Sequence, residues 1–326
     1  MPGEPTRTYI ERTVPTPPTF EIDGIIPIIP TPFTPEEEVD SAALLELVEF
    51  GIAAGAWGVC LPAYASEFYK LSEQERLAVV EIAVRQARGR VPVIAQVNYY
   101  SARAAASAAA QAQALGATAI SAAVPRLFAV GEADLFRYFD RILRAIDVPL
   151  IIQDFIPGGP SISAGFIAGL HRAHPHFRYV KLEEAMMRAK VEAIRDATSG
   201  EVGVLEGWGG MYMPELIPAG VCGVMPALSL TDLLARIYRL LREGRRDEAY
   251  PIFQGVVPQI VYSLQNLELF HHAEKLLLAD RGVLKNTTVR ELRIGIGEKD
   301  LEYIRFLNGR VLELLDSLKL PRNPLR

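Results

Sequence analysis

Short apolar runs, which suit buried strands, alternate with longer stretches whose apolar residues recur every three to four positions, and the alternation repeats eight times between Gly24 and Arg242. The runs predict strands over Gly24–Pro30, Trp57–Pro62, Val91–Val97, Ala117–Val124, Val148–Asp154, a segment ending at Lys181, Glu201–Glu206 and Val221–Pro226. The helical spacing predicts helices over Ser41–Ala54, Ser72–Ala87, Ala102–Leu115, Glu132–Ile146, from Ser163 onward, Ala185–Thr198 and Thr231–Arg242. Ser72 followed by Glu75 has the capping-box pattern that opens a helix. Gly55 and Gly220 stand where helices give way to strands, and glycine there supplies a left-handed stop. Eight such units in series predict a closed (β/α)8 TIM barrel, with a doubly wound open sheet as the competing α/β architecture.

Beyond Arg242 the pattern becomes helix after helix: Glu248–Leu267, Leu269–Asp280 and Glu298–Leu318. The expected organisation is an extended N-terminal arm over residues 1–23, a catalytic barrel over 24–243 and a C-terminal helical region over 244–326. Five prolines between Pro2 and Pro18 keep the arm from forming a helix or a central strand. The helical region is expected to cap the barrel or to build an oligomer contact. His271 and His272 within it point about 100° apart on a helix, which makes a poor shared metal site.

Composition narrows the classes of function. A chain of 326 residues that is 50% hydrophobic suits one barrel of about 250 residues with an appendage. A net charge of −5 offers no basic face, so nucleic acid is not an expected partner. Cys60 and Cys222 lie in apolar runs and read as small core residues in a reducing compartment. No run approaches about 18 uninterrupted apolar residues and no secretory leader pattern is present, so a cytoplasmic protein without a membrane partner is expected. No Gly-rich phosphate loop, His-x-His pair or cysteine cluster calls for a metal or other cofactor.

Lys181 ends the predicted sixth strand in Tyr179-Val180-Lys181-Leu182-Glu183-Glu184. Chemistry in this fold gathers where strands end and βα loops begin. A lysine held there in a dry pocket can lose its proton and attack a carbonyl as a Schiff-base nucleophile. The plainer alternative is a surface lysine paired with Glu183 or Glu184.

Three further features bear on that choice: Pro30-Thr31-Pro32-Phe33 after the first strand, the block from Ser66 to Arg76 (Ser-Glu-Phe-Tyr-Lys-Leu-Ser-Glu-Gln-Glu-Arg) after the second, and the helical tail. In these, and in the lysine of strand six, the chain from Gly24 to about Leu315 resembles the dihydrodipicolinate synthase/N-acetylneuraminate lyase superfamily of class I aldolases. The resemblance implies a (β/α)8 barrel, a homo-oligomer (dimer or tetramer), and condensation of Lys181 with the carbonyl of pyruvate or another 2-oxo acid as the small-molecule substrate.

Departures from the family pattern set the remaining candidates. Where the family reads Gly-Thr/Ser-Thr-Gly-Glu after strand two, this chain has Ala63, Tyr64, Ala65, Ser66 and Glu67. Tyr64 and Ser66 still offer hydroxyls, and backbone N–H groups around Ala65 can hold a carboxylate. The family's strand-five tyrosine is replaced by Asp154, or by Gln153 if the loop shifts by one. Asp154 is either a general base, once burial raises its pKa, or an acceptor for turn N–H groups. Arg126 replaces an aromatic after strand four, and either binds a second substrate carboxylate or solvates the rim. Glu183, two residues past Lys181, shares its strand face and is a second candidate acid/base, the alternative being a surface salt bridge. Glu206 ends strand seven before Gly207-Trp208-Gly209-Gly210, in which Trp208 is placed to floor a substrate pocket.

The family's arginine five residues past the tyrosine is absent, since the loop reads Gly158-Gly159-Pro160-Ser161. Dihydrodipicolinate synthesis itself is therefore not expected. The sequence points to a lyase acting through a lysine Schiff base on a 2-oxo acid, with aldol cleavage or condensation preferred. Dehydration of a 2-oxo-3-deoxy acid by the same imine chemistry, or an inactive barrel that binds a 2-oxo acid, are the alternatives.

Overall fold

The computed structural model describes residues 20–155, 161–184 and 187–326. Eight parallel strands form one sheet: β1 Gly24–Ile25, β2 Val59–Leu61, β3 Val93–Gln96, β4 Ala119–Ala123, β5 Leu150–Phe155, β6 Phe177–Glu183, β7 Gly203–Glu206 and β8 Gly223–Val224. Each strand pairs with its neighbour in sequence from β2 to β8, and β8 pairs with β1. An isolated parallel bridge between Ile28 and Cys60, with Ile29 N donating to Cys60 O at 3.0 Å, closes the ring between β1 and β2. The sheet is the (β/α)8 barrel expected from the eightfold alternation.

The helices of the barrel are α1 Ser41–Ala53, α2 Glu73–Ala87, α3 Ala102–Ala114, α4 Glu132–Leu143, α5 Ala164–Ala173, α6 Met187–Ala197, α7 Met213–Leu216 and α8 Thr231–Arg242. Their starts are set by capping side chains that satisfy otherwise orphaned N–H groups. Asp40, Ser101 and Ser163 accept from the third residue beyond them, and Ser72 and Glu75 form the reciprocal capping box. Helix α7 has only four residues, which is why no helical period was legible between Glu206 and Val221.

Side chains alternate across the strands with period two, and this sorts the core into two shells. Outward residues such as Ile152, Val180 and Leu182 pack under the helices in a large apolar cluster. Inward residues Ile26, Cys60, Ile94, Ala119, Ile151, Tyr179 and Leu205 fill the barrel. Both cysteines are free, as expected of core residues. Of the predicted arm, residues 20–23 are described: Phe20 packs edge-on against Trp57 at 5.2 Å and its carbonyl accepts from the Tyr179 hydroxyl at 2.8 Å, plugging the amino-terminal mouth. Residues 1–19 lie outside the described part.

Three helices follow: α9 Arg246–Ser263, α10 Leu267–Asp280 and α11 Glu298–Ser317. Ile252, Val256, Ile260, Leu277 and Val311 join the same apolar cluster that underlies the barrel helices. His271 and His272 turn to different partners, the Tyr69 hydroxyl at 3.0 Å and the Ile294 carbonyl at 3.1 Å. Among the described residues no cluster of His, Cys, Asp and Glu is arranged to hold a metal, and no helix is long and apolar enough to cross a membrane.

Candidate active site

Strand β6 runs two residues past the predicted end, so its inward positions are Tyr179, Lys181 and Glu183. Lys181 and Glu183 are buried to 4% and 5% exposure, and Lys181 Nζ lies 2.7 Å from Glu183 Oε1. The surface salt bridge considered from sequence is thus a buried pair at the carboxyl end of the barrel. Burial of such a pair is costly unless further hydrogen bonds serve the carboxylate. They come from Gln153, which pairs with Lys181 across the β5/β6 register and donates from Nε2 to both Glu183 oxygens, at 3.1 and 3.2 Å.

The orientation of the Gln153 amide is fixed one strand further on. Gln96, at the end of β3, donates from Nε2 to Gln153 Oε1 and to Asn98 Oδ1, while its own Oε1 receives the Cys60 thiol at 3.9 Å. With its oxygen occupied, Gln153 must present its NH2 to Glu183. Gln96 was not singled out by sequence reasoning. The available signal was a glutamine at an inward position of an otherwise apolar strand.

A cavity of about 80 Å³ opens above the pair. Tyr64, Ala65, Gln153, Lys181, Glu183 and Trp208, all predicted site residues, line it. Tyr64 sits in a 3-10 turn over Tyr64–Ser66, its ring 5.0 Å from that of Phe155, and burial pushes its phenol up to about 12. Gly207 lets the two central side chains into this space. A Cβ there would stand 2.4 Å from Glu183 Cγ and 2.7 Å from Lys181 Cε. The roof comes from the C-terminal helices through Leu264, Leu267 and Phe270, residues the sequence reading left outside the site.

Four predicted residues lie elsewhere. Ser66 is fully buried and its hydroxyl donates to Ile29 O at 2.6 Å, so it fastens the β2 loop to the chain after β1. Asp154, one residue from Gln153, faces outward in register with Leu182. It forms an ion pair with Arg126 and accepts from Ile162 N at 3.0 Å, which makes both residues braces for the loop after β5. Burial raises the Asp154 pKa although Arg126 pulls the other way. Residues 156–160 of that loop, including the Gly158–Pro160 stretch, lie outside the described part. Glu206 is fully buried beneath the next loop and accepts from Gly210 N at 2.8 Å and Tyr212 N at 3.4 Å. Its burial pushes the carboxyl up to about 7, with the Lys181 ammonium acting in the opposite sense.

A (β/α)8 barrel that buries an amine beside a carboxylate at the carboxyl ends of its strands is built for carbonyl chemistry. The chain belongs to the dihydrodipicolinate synthetase family, whose model matches residues 21–301. It is 31% identical over 271 residues to L-2-keto-3-deoxyarabonate dehydratase of Azospirillum brasilense, covering 82% of this chain and 87% of that protein. It is 28% identical over 243 residues to 4-hydroxy-tetrahydrodipicolinate synthase of Methanopyrus kandleri, covering 73% and 80% of the two chains. Among solved structures, dihydrodipicolinate synthase from Rhodopseudomonas palustris aligns with a TM-score of 0.82 at 23% identity, over 89% of this chain and 97% of that one. YagE of Escherichia coli, solved in complex with pyruvate, aligns with a TM-score of 0.78 at 22% identity, over 93% and 100%. The family is one of enzymes, and the fold and recognition expected from the sequence hold.

Proposed function

We propose that the protein is a hydro-lyase that removes water from a 2-oxo-3-deoxy acid through an imine on Lys181. The observation that carries this reading is the Glu183 carboxylate 2.7 Å from Lys181 Nζ, in a cavity that has no tyrosine on strand five. Glu183 takes a proton from the Lys181 ammonium, the freed amine adds to C2 of the substrate, and Glu183 returns that proton to the carbinolamine oxygen, which leaves as water and frees the carboxylate for the next step. The resulting cationic imine acidifies the C3 hydrogens. A base held beside the imine nitrogen is two bonds from C3, so Glu183 is placed to remove a C3 proton and leave an enamine. The enamine expels the C4 hydroxyl, which takes the proton from Glu183 and departs as water. Hydrolysis of the unsaturated imine returns the amine and releases an unsaturated 2-oxo acid. Tyr64 and Ala65 line the same cavity, and their backbone N–H groups donate to no acceptor among the described residues, which suits them to the substrate carboxylate.

Carbon–carbon cleavage was the first choice from sequence, and two considerations lead us to place dehydration ahead of it. Retro-aldol cleavage needs a base at the C4 hydroxyl rather than at C3. The strand-five residue paired with Lys181, which we take as the counterpart of the family's tyrosine, is Gln153, an amide that moves no proton. The dehydratase from Azospirillum brasilense supports the same choice. Incubation with 2-oxo-3-deoxypentonate should consume substrate, yield a product lighter by one water, and release no pyruvate to a lactate dehydrogenase assay. Pyruvate and an aldehyde in equal amounts would replace dehydration with cleavage.

A further inference from the structure

The space above Lys181 has a neighbour. A small chamber of about 20 Å³ shares Gly209, Ala227, Leu264 and Phe270 with the main cavity and reaches back between the barrel and the C-terminal helices. Its volume suits one water-sized group. Its polar lining includes Gln259, Ser263 and Glu274. The Asn308 amide donates to Asp280 Oδ2 at 2.7 Å, so its oxygen faces Gln259 Nε2 at 3.3 Å and fixes that amide. Gln259 Oε1 is left without a partner, on a side chain only 4% exposed. The Ser263 hydroxyl donates to Ile260 O at 3.0 Å and leaves its lone pairs over. Among the described residues no Lys or Arg lines the chamber.

Glu274 defines what else is shut out. It is 4% exposed and accepts from Ser229 N at 2.8 Å and from Ser229 Oγ at 2.5 Å, at the turn between β8 and α8. In (β/α)8 barrels that turn is a recurrent phosphate site. Here an internal carboxylate already holds its donors. A second anion would meet a carboxylate and an amide oxygen with no cation on the chamber wall, since the nearby Arg281 guanidinium is committed to Asp232 and the Ser229 carbonyl, in a space far smaller than a phosphate needs.

We infer that this chamber is the distal subsite of the enzyme and takes a terminal hydroxyl, so the substrate is an unphosphorylated hydroxy 2-oxo acid whose far end donates to Gln259. The inference rests on the proposed function and specifies its substrate. A buried acceptor left unpaired by a substrate lacking the hydroxyl is what gives such a site discrimination.

Borohydride trapping on the whole protein separates the two claims. The half-saturating concentration for modification of Lys181 is measured for pyruvate, 2-oxopentanoate, 5-hydroxy-2-oxopentanoate and the same acid carrying a 5-phosphate. The hydroxy acid is expected to trap about five- to tenfold more tightly than 2-oxopentanoate, and the phosphate the least tightly of the three five-carbon acids. In Gln259→Leu the ratio of hydroxy to alkyl acid, each referred to pyruvate on the same variant, is expected to fall to about one. Ser263→Ala, which cuts only a hydroxyl, should lower the same ratio and serves if Gln259→Leu does not fold. Equal trapping of hydroxy and alkyl acids by the parent, or an unchanged ratio in the variant, overturns the subsite while leaving the imine intact. Failure to trap any 2-oxo acid overturns the function itself.

Discussion

Beside Lys181, the proposed reaction depends most directly on Glu183 as its base and on Gly207 for the space the pair occupies. Glu183→Gln keeps the shape of the side chain and removes the base. It should still yield a borohydride-trapped imine with a 2-oxo acid, formed more slowly because Glu183 also takes the ammonium proton, while turnover falls by about 10² or more. Turnover within tenfold of the parent would take the proton-transfer role away from Glu183. Gly207→Ala places a methyl 2.4 Å from Glu183 Cγ and 2.7 Å from Lys181 Cε, so both must move. A displacement of that order costs about 10² in rate, and an unchanged kcat in Gly207→Ala would show the pair to be less tightly positioned than it is drawn. Lys181 and Glu183 were legible in the sequence because period two puts residues two apart on one face. Asp154 and Gln153 were not separable by that rule, since a shift of one residue exchanges the barrel interior for the helix shell. Only the pairing of Gln153 with Lys181 decides between them. Ser66 was misjudged for a related reason: its hydroxyl is spent on Ile29, a contact the local sequence does not announce.

At the scale of elements, the Ser66–Arg76 block marked the family in the sequence, and the structure supplies a physical reason for several of its residues. Glu67 is held in the left-handed region at φ 58° and meets Lys275 of α10 at 2.6 Å, with Lys70 at 3.1 Å on its other oxygen. Glu75 receives the Arg290 guanidinium at 2.7 Å, and that guanidinium also lies 4.3 Å from the Phe33 ring centroid. The block therefore ties the β2 loop, whose Tyr64 and Ala65 line the cavity, to the helices whose Leu267 and Phe270 roof it. Lys275 is fully buried, so Glu67→Leu would leave its amine, among the described residues, with the Thr288 carbonyl as its remaining hydrogen-bond acceptor, at 2.7 Å. The expected loss is about 3–5 kcal/mol in urea unfolding, partly restored in the Glu67→Leu/Lys275→Met double variant. A single variant as stable as the parent would show that the pair does not anchor the loop. The roof was beyond sequence reading because helical period reports which face of α10 is apolar, not which cavity that face covers.

The whole molecule carries several buried carboxyls, and their protonation gives its stability a pH dependence of predictable sign. Burial raises Glu206 to about 7 and also raises Glu274 and Asp154. Each folded-state pKa lies above the unfolded one, so the unfolded chain releases its proton first as pH rises. Stability from these groups is then greatest at or below the unfolded pKa near 4.5 and falls as pH climbs toward 7. For Glu206 the loss is roughly 3 kcal/mol, and Glu206→Gln, which keeps an acceptor for Gly210 N, should flatten the decline of Tm between pH 5 and pH 8. A variant whose Tm falls as steeply as the parent's would assign that decline to other groups. The barrel itself was legible because eight repeated units admit few closures, and the sequence also named cavity-lining residues on several strands and loops, but not the site's hydrogen bonds that run between strands. Its amide chain from Gln96 through Gln153 to Glu183 crosses β3, β5 and β6, and such a path is set by closure of the ring. The central claim is tested most directly by mass spectrometry of the protein reduced with borohydride during turnover of 2-oxo-3-deoxypentonate. A single adduct on Lys181 that includes the substrate skeleton less one water is expected, with no adduct in Lys181→Ala. An adduct on another residue, or a pyruvate-sized adduct on Lys181, would contradict it.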